Sequence, residues 1–321
     1  MNKLEKYIIN LDLPVKERLD PIYNLYEDEI KVVIPYLKQI IGLHLAGYEK
    51  ILFPIIKTYK FFNKLMYRDE LEYIANKFNI DFEYVLLLQL IYEATSCCTS
   101  IVTKVSDEFT MFRTMDWPLD FLKKFTIDVE YQRNGYTLFY GTTWLGYVGF
   151  LTMTIPSVCS IAINYRRTED ITFLNMVKNT FKTLSLNWPI GYLIRHIGEN
   201  FKEMQIIKLH LTRSKLISPC YITICYSNKN PEIITRTSTT SDVHTRETVV
   251  QTNCDQHKFE PNILYSVERR KMAHTIINCN DNNFKSDEDL IEKLYSEPIK
   301  NDETIYLSIM KPSIGEHYTL L

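Results

Sequence analysis

The hydrophobic period of this chain first changes at Cys97–Cys98. Before that point apolar residues recur at helical spacing. Leu71, Ile74, Ala75 and Phe78 form one such run, and Val85, Leu86, Leu87, Leu88, Leu90 and Ile91 dominate the next. Spacings of three and four residues place side chains on one helix face. From Cys98 onward, short runs rich in β-branched and aromatic residues are separated by turns, the pattern of strands. A helix-period sequence does not settle as a strand, so the boundary predicts a helical part over 1–97 and a strand-rich part over 98–321.

Within the first part, residues 1–20 read as a polar lead-in. Leu25 to Phe62 is apolar but interrupted by Pro35, Gly42, Gly47 and Pro54. Its charges (Lys31, Lys38, Glu49, Lys50, Lys57, Lys60) recur too often for a membrane span, which needs ~20 nearly uncharged residues. It reads as broken amphipathic helices whose apolar face either packs on the protein or rests on a lipid surface. Helices are expected over 67–78 and, behind an Asp81 N-cap, over 82–94. Strands are expected at 98–104, 108–115, 125–132, 136–143, 146–153 and 157–164, with Asn134-Gly135 as a hairpin turn. Helices follow at 169–183 and 189–212, the second broken near Asn200, where Asn200 and Glu203 form a capping box. Strands at 219–226, 231–237 and 246–253, helices at 263–276 and 286–296, and a strand from Thr304 to Met310 complete the pattern. This order suits an α+β fold of two stacked antiparallel sheets flanked by helices.

Cys98 opens the β-branched run Thr99–Val102, and Arg113 and Asp116 close the next run. A thiol attacks as thiolate, which a nearby cation favours, and a carboxylate can orient an amine. A buried strand cysteine and an ion pair is the other reading of the same residues. The five thiols besides Cys97 and Cys98 show no Cys-x-x-Cys and no His–Cys pair at ligand spacing, so no metal or cofactor is expected. A net charge of −2 gives no basic face for nucleic acid. The start of the chain shows no apolar leader, there is no Asn-x-Ser/Thr sequon, and none of the seven cysteines precedes Cys97. These features point to a reducing, cytoplasmic setting, or to a lysosomal or secreted one if a leader has been removed.

CTSIV at 98–102, followed by FRTMDWP at 112–118, resembles the core of the N-acylethanolamine acid amidase and acid ceramidase family. These are N-terminal-nucleophile (Ntn) hydrolases related to choloylglycine hydrolases and penicillin V acylases. FTIDVEYQR (125–133), GTTWLGYVGFLT (141–152), VVQTNCD (249–255) and ERRKMA (268–273) extend the resemblance in order, and YIINLDLP (7–14) resembles the family's small-subunit start. The resemblance implies an αββα sandwich with a helical small (α) subunit, 1–97, and a catalytic (β) subunit, 98–321. It implies that the Cys98 thiol attacks the Cys97 carbonyl and cuts the chain, leaving a non-covalent heterodimer of the two fragments. The freed α-amine of Cys98, with an ordinary pKa near ~8, then serves as general base. Asp116 would hold the ammonium, Arg113 favour the thiolate, Asn253 donate to the oxyanion, and Arg269 stabilise charge on the leaving-group side. Cys97 would become the C-terminus of the small fragment.

Trp144, Gly146, Tyr147 and Gly149 would shape the acyl groove, although Trp144 and Tyr147 fit a plain core as well. The implied reaction is hydrolysis of a fatty-acyl amine, an N-acylethanolamine before a ceramide. The alternative is a lipid-binding homologue with little turnover. Three departures support that alternative: Phe112 stands where relatives have Gly, Tyr165 where they have a carboxylate, and Ala273 where they have a bridging Cys.

Overall fold

The computed structural model describes residues 2–45, 53–54, 56–58, 65–95, 97–167, 187–256 and 262–321. Strand β1 (Lys6–Asn10) precedes helices α1 (Val15–Tyr23), α2 (Glu27–Leu45), α3 (Arg68–Phe78) and α4 (Phe82–Thr95). A hairpin follows, β2 (Cys97–Val105) with β3 (Glu108–Asp116), and then the short α5 (Leu122–Phe125). Four strands come next: β4 (Thr126–Arg133), β5 (Tyr136–Trp144), β6 (Thr152–Ile155) and β7 (Cys159–Tyr165). Helices α6 (Ile190–Asn200) and α7 (Met204–Arg213) lead to β8 (Cys220–Tyr226), β9 (Glu232–Arg236), β10 (Ser241–Thr245) and β11 (Val249–Gln251). After these come α8 (Ser266–Cys279), β12 (Asn283–Phe284), α9 (Asp287–Leu294), β13 (Thr304–Lys311) and β14 (Glu316–Leu320).

The strands form two sheets. One runs β1-β4-β5-β6-β7-β8-β9-β10; the other runs β11-β2-β3-β13-β14, with β12 beside β2. All neighbours are antiparallel except β1 with β4 and β12 with β2. The sheets meet face to face, where Val102, Met111 and Met310 of one pack with Ala162, Cys225 and Ile233 of the other. Outside the smaller sheet, Ile101, Phe112 and Leu307 bury Ala273, Ile277 and Leu290 of α8 and α9. Outside the larger sheet, Phe139, Met153 and Ile161 share a core with α6 and with Leu71, Ile74 and Val85 of α3 and α4. Each such fully buried aliphatic side chain contributes about 1.5–3 kcal/mol, which is why the strands read as continuous apolar runs. The result is the α+β order helix, sheet, sheet, helix.

The differences from expectation have local causes. Residues 1–97 are not a separate helical layer, because β1 pairs with β4 as an edge of the larger sheet. The five residues of β1, Lys-Tyr-Ile-Ile-Asn, bury only Ile9 and show no in–out alternation of apolar and polar residues. The strand expected at 146–153 begins only at Thr152, because Gly146 takes φ +91° and turns the chain away. The run 246–253 yields a strand only at β11, and the preceding β10 lies in the other sheet. The capping box at Asn200 does not form: Asn200 Nδ2 donates back to His196 O at 2.8 Å, and Glu203 is the N-cap of α7. The helix expected at 169–183 lies outside the described residues, as does part of 25–62. No described helix is long and apolar enough to cross a membrane.

Candidate active site

Strand pairing brings the site together. On β2 and β3, Cys97 lies opposite Asp116 and Cys98 opposite Met115. On the far side of β3, Thr304 of β13 is also paired with Asp116. β11 runs antiparallel along the other edge of β2, with Gln251 opposite Ser100, so the chain beyond it passes Cys98. α8 packs against this end of the sheet, and β7 lies across from it in the other sheet.

Side chains from three of these elements hold the main chain of Cys98. Its N–H donates to Asn253 Oδ1 at 2.7 Å. Its carbonyl accepts from Arg269 Nη1 at 2.8 Å and from Asn164 Nδ2 at 3.0 Å. Arg269 also donates to Thr99 Oγ1 at 2.8 Å and Asn253 Oδ1 at 3.1 Å, and faces Asp116 Oδ2 at 3.5 Å. The thiol of Cys98 is fully buried, 3.7 Å from Met115 Sδ. The bond from charged Arg269 is worth about 1.5–3 kcal/mol and the two to neutral amides about 0.5–1.5 kcal/mol each.

Asp116 accepts from Thr304 Oγ1 at 2.8 Å. Burial raises its pKa, while Arg269, Thr304 and Arg113 oppose that shift. Arg113 is fully buried and donates to Ile163 O at 2.7 Å and Thr114 O at 3.1 Å, with Asn164 Oδ1 at 3.5 Å. Burial pushes the Cys97 thiol up to about 12 despite Arg269. A thiol at that value stays protonated near neutrality.

Cys98, Arg113, Asp116, Asn253 and Arg269 therefore meet in one cluster. The orientation of Asn253 differs from expectation: its amide oxygen faces Cys98 N–H, and its Nδ2 donates to Tyr165 O at 2.9 Å. Sequence reasoning missed Asn164, which also donates to Gln251 O at 3.0 Å and accepts from Ser100 Oγ at 2.6 Å. Its signal was an Asn inside an otherwise apolar strand, where Asn is depleted. Thr304 carried no signal, because Thr is an ordinary strand residue. Beside Tyr165, Arg166 grips Asp255 with two bonds of 2.8 and 2.9 Å, and Tyr221 donates to the same carboxylate at 2.6 Å.

Trp117 directly follows Asp116 and opens an apolar cavity. Trp144, Gly146 and Tyr147 line it with Leu88 and Phe78 from the N-terminal part. Trp117 and Trp144 meet edge to face at 5.7 Å between ring centroids. Trp144 Nε1 is buried without a hydrogen-bond partner. Gly149 is not part of the lining: a Cβ there would fall 2.8 Å from the Tyr147 ring and 2.9 Å from Gly191 C, so it lets the wall pack closely from behind. Among the described residues no cluster of His, Cys, Asp or Glu is arranged to hold a metal.

A model of the beta subunit of N-acylethanolamine-hydrolyzing acid amidase matches residues 2–59. An uncharacterised protein of Acanthamoeba polyphaga mimivirus is 36% identical over 311 residues, covering 95% of this chain and 96% of that one. Acid ceramidase of Bos taurus is 28% identical over 341 residues, covering 98% and 85%. The chain belongs to the N-acylethanolamine acid amidase and acid ceramidase family. The family's fold is present too. The Caenorhabditis elegans ortholog of N-acylethanolamine-hydrolyzing acid amidase superposes with a TM-score of 0.61 at 24% identity, covering 70% of this chain and all of that one.

Proposed function

We propose that this family member cuts itself between Cys97 and Cys98 and then hydrolyses the amide bond of fatty-acyl amines. The observation that carries the reading is the fixation of both main-chain polar groups of Cys98, with an apolar cavity opening at Trp117, the residue after Asp116. In the uncut chain, Cys98 Sγ adds to the Cys97 carbonyl carbon. The C–N bond breaks, the thiol proton passes to the nitrogen, and a thioester remains. Water then releases a Cys97 carboxylate and a free Cys98 thiol and amine. Asn253 Oδ1, already 2.7 Å from that nitrogen, keeps the new amine in place with Asp116 close by. The amine has an ordinary pKa near ~8 and takes the thiol proton in each later turnover.

Arg113 favours the thiolate, and Arg269 steadies charge on the leaving-group side. Asn253 Nδ2 serves the oxyanion once it is released from Tyr165 O. A donor of this kind is worth about 3 kcal/mol in the transition state. The apolar cavity takes the acyl chain, and the unpartnered Trp144 N–H offers it one donor. N-acylethanolamines are the preferred substrates, with ceramide as the alternative because acid ceramidases are among the relatives.

Leu25, just before α2, and Val32 and Tyr36 on its first turns stand exposed near Lys31, which fits a peripheral contact with lipid. The fragments would stay together through the buried pair of Glu70 with Arg195, at 2.5 and 2.6 Å, which bridges the two parts. The seven free thiols fit a reducing compartment.

The test is hydrolysis of a fluorogenic fatty-acyl amide by purified protein. Activity present in the wild type and absent in Cys98→Ala supports the proposal. Activity that survives the substitution overturns it.

A further inference from the structure

The wall of the apolar cavity is built on main chain that the catalytic part does not hold by itself. After Trp144 the chain leaves β5, and Gly146 takes φ +91°, a conformation open mainly to glycine. A Cβ on Gly146 would also meet the Phe78 ring of α3 at 3.1 Å. Gly146 N–H donates to Tyr23 Oη at 3.0 Å. Gly146 O accepts from Gln89 Nε2 at 2.8 Å, and Val148 N–H donates to Gln89 Oε1 at 2.9 Å. Gln89 spends its remaining donor on Val85 O at 3.0 Å in its own helix. One carboxamide, only 1% exposed, thus clamps the turn from both sides. Val148 O is held separately, by Arg195 Nη1 at 2.9 Å. Leu88, the neighbour of Gln89 on α4, lines the cavity, as do Gly146 and Tyr147 of the clamped turn.

We infer that Gln89 is a positioning residue for the acyl chain, setting the shape of the cavity wall from the N-terminal side of the Cys97–Cys98 peptide. The inference rests on the acyl-amide reading above and deepens it, because part of the selection among acyl chains then resides outside residues 98–321. A buried amide donating to one main-chain group and accepting from another cannot be replaced by an apolar side chain without leaving Gly146 O and Val148 N–H unpaired. Such orphaned groups shift to find partners, and the wall moves with them. Glu is nearly isosteric. As a neutral carboxyl it donates to Gly146 O and accepts from Val148 N–H, and as a carboxylate it loses the donor.

The test uses Gln89→Leu and Gln89→Glu, each with the thermal midpoint measured as a control for folding. Binding of a fluorescent acyl amide is followed in the Cys98→Ala background, and hydrolysis in the Cys98 protein. For Gln89→Leu the inference expects about a tenfold loss of affinity and a matching rise in KM, with kcat within about threefold. For Gln89→Glu it expects affinity that returns toward wild type as pH is lowered from about 9 to about 4.5, a return absent from the wild type. Unchanged affinity and KM in folded Gln89→Leu overturns it, and so does a Gln89→Glu protein with no pH-dependent affinity. If wild type binds the probe without hydrolysing it, the amidase reading fails while this inference stands. If neither the uncut Cys98→Ala protein nor the Cys98 protein binds or hydrolyses the probe, both fail.

Discussion

The space between the sheets holds two buried polar clusters that differ in what they grip. Around Cys98, side chains from β7, α8 and the chain after β11 converge on the main chain of one residue. The other lies around Thr142 of β5. Its Oγ1 is 2.8 Å from Asp128 Oδ1, 2.8 Å from His317 Nε2 and 2.7 Å from Thr319 Oγ1, with Thr154 Oγ1 3.0 Å from His317 Nδ1. There the side chains mainly satisfy each other. The first cluster carries two arginines and an aspartate. The second carries at most one charge, because burial pushes Asp128 up to about 6 and holds His317 neutral by pushing it down to about 3. Polar burial by itself therefore marks no active site. What sets the first cluster apart is charged groups aimed at a single peptide, and on that the proposed function rests.

The largest effect expected from this contrast is complete. Cys98→Ala abolishes self-cleavage and amide turnover, read on a denaturing gel and with the fluorogenic amide. Next, Arg269→Met leaves Asp116 buried without its cation. Breaking such a pair from one side costs about 3–5 kcal/mol in denaturant unfolding, and self-cleavage slows at least about a hundredfold. In the other cluster, Thr142→Val orphans hydroxyl and carboxyl partners and costs about 1–3 kcal/mol. It leaves the cleavage rate unchanged, and a slowed rate would erase the distinction between the clusters.

The smallest effect is a slope. Asp128 is raised, so its stabilising contribution is present below its ordinary 3.8 and lost as pH rises through about 6. His317 is lowered, so its contribution is present above its ordinary 6.5 and lost as pH falls through about 3. Between about pH 4 and 6 the two slopes oppose, with Lys6 the other charge facing both groups. Asp128→Asn leaves His317 alone, so stability falls about 1.4 kcal/mol per pH unit more steeply on acidification than in wild type. Parallel unfolding curves in the two proteins would contradict this.

The two clusters also differ in how far the sequence reveals them. Cys98, Arg113, Asp116, Asn253 and Arg269 lie in short motifs on neighbouring elements, and β2–β3 pairing needs only a turn to bring the first three together. The second cluster leaves no such trace. Its inward residues are Thr, Ser and His, so β14, whose buried positions are His317 and Thr319, lacks the apolar alternation that announces a strand. The same blindness hid Asn164, Thr304 and Gln89, whose roles depend on what lies across from them rather than beside them. The Asn200 capping box failed for the opposite reason, since a local pattern was overridden by the amide's own bond back to His196 O.

The most direct test of the central claim is the intact mass of purified wild-type protein after incubation at pH 4.5 and at pH 7.5, with sequencing of any new N-terminus. The account predicts two fragments meeting between Cys97 and Cys98, the larger beginning Cys-Thr-Ser-Ile-Val, and none from Cys98→Ala. A single stable chain under both conditions, or the same cut in Cys98→Ala, would contradict it.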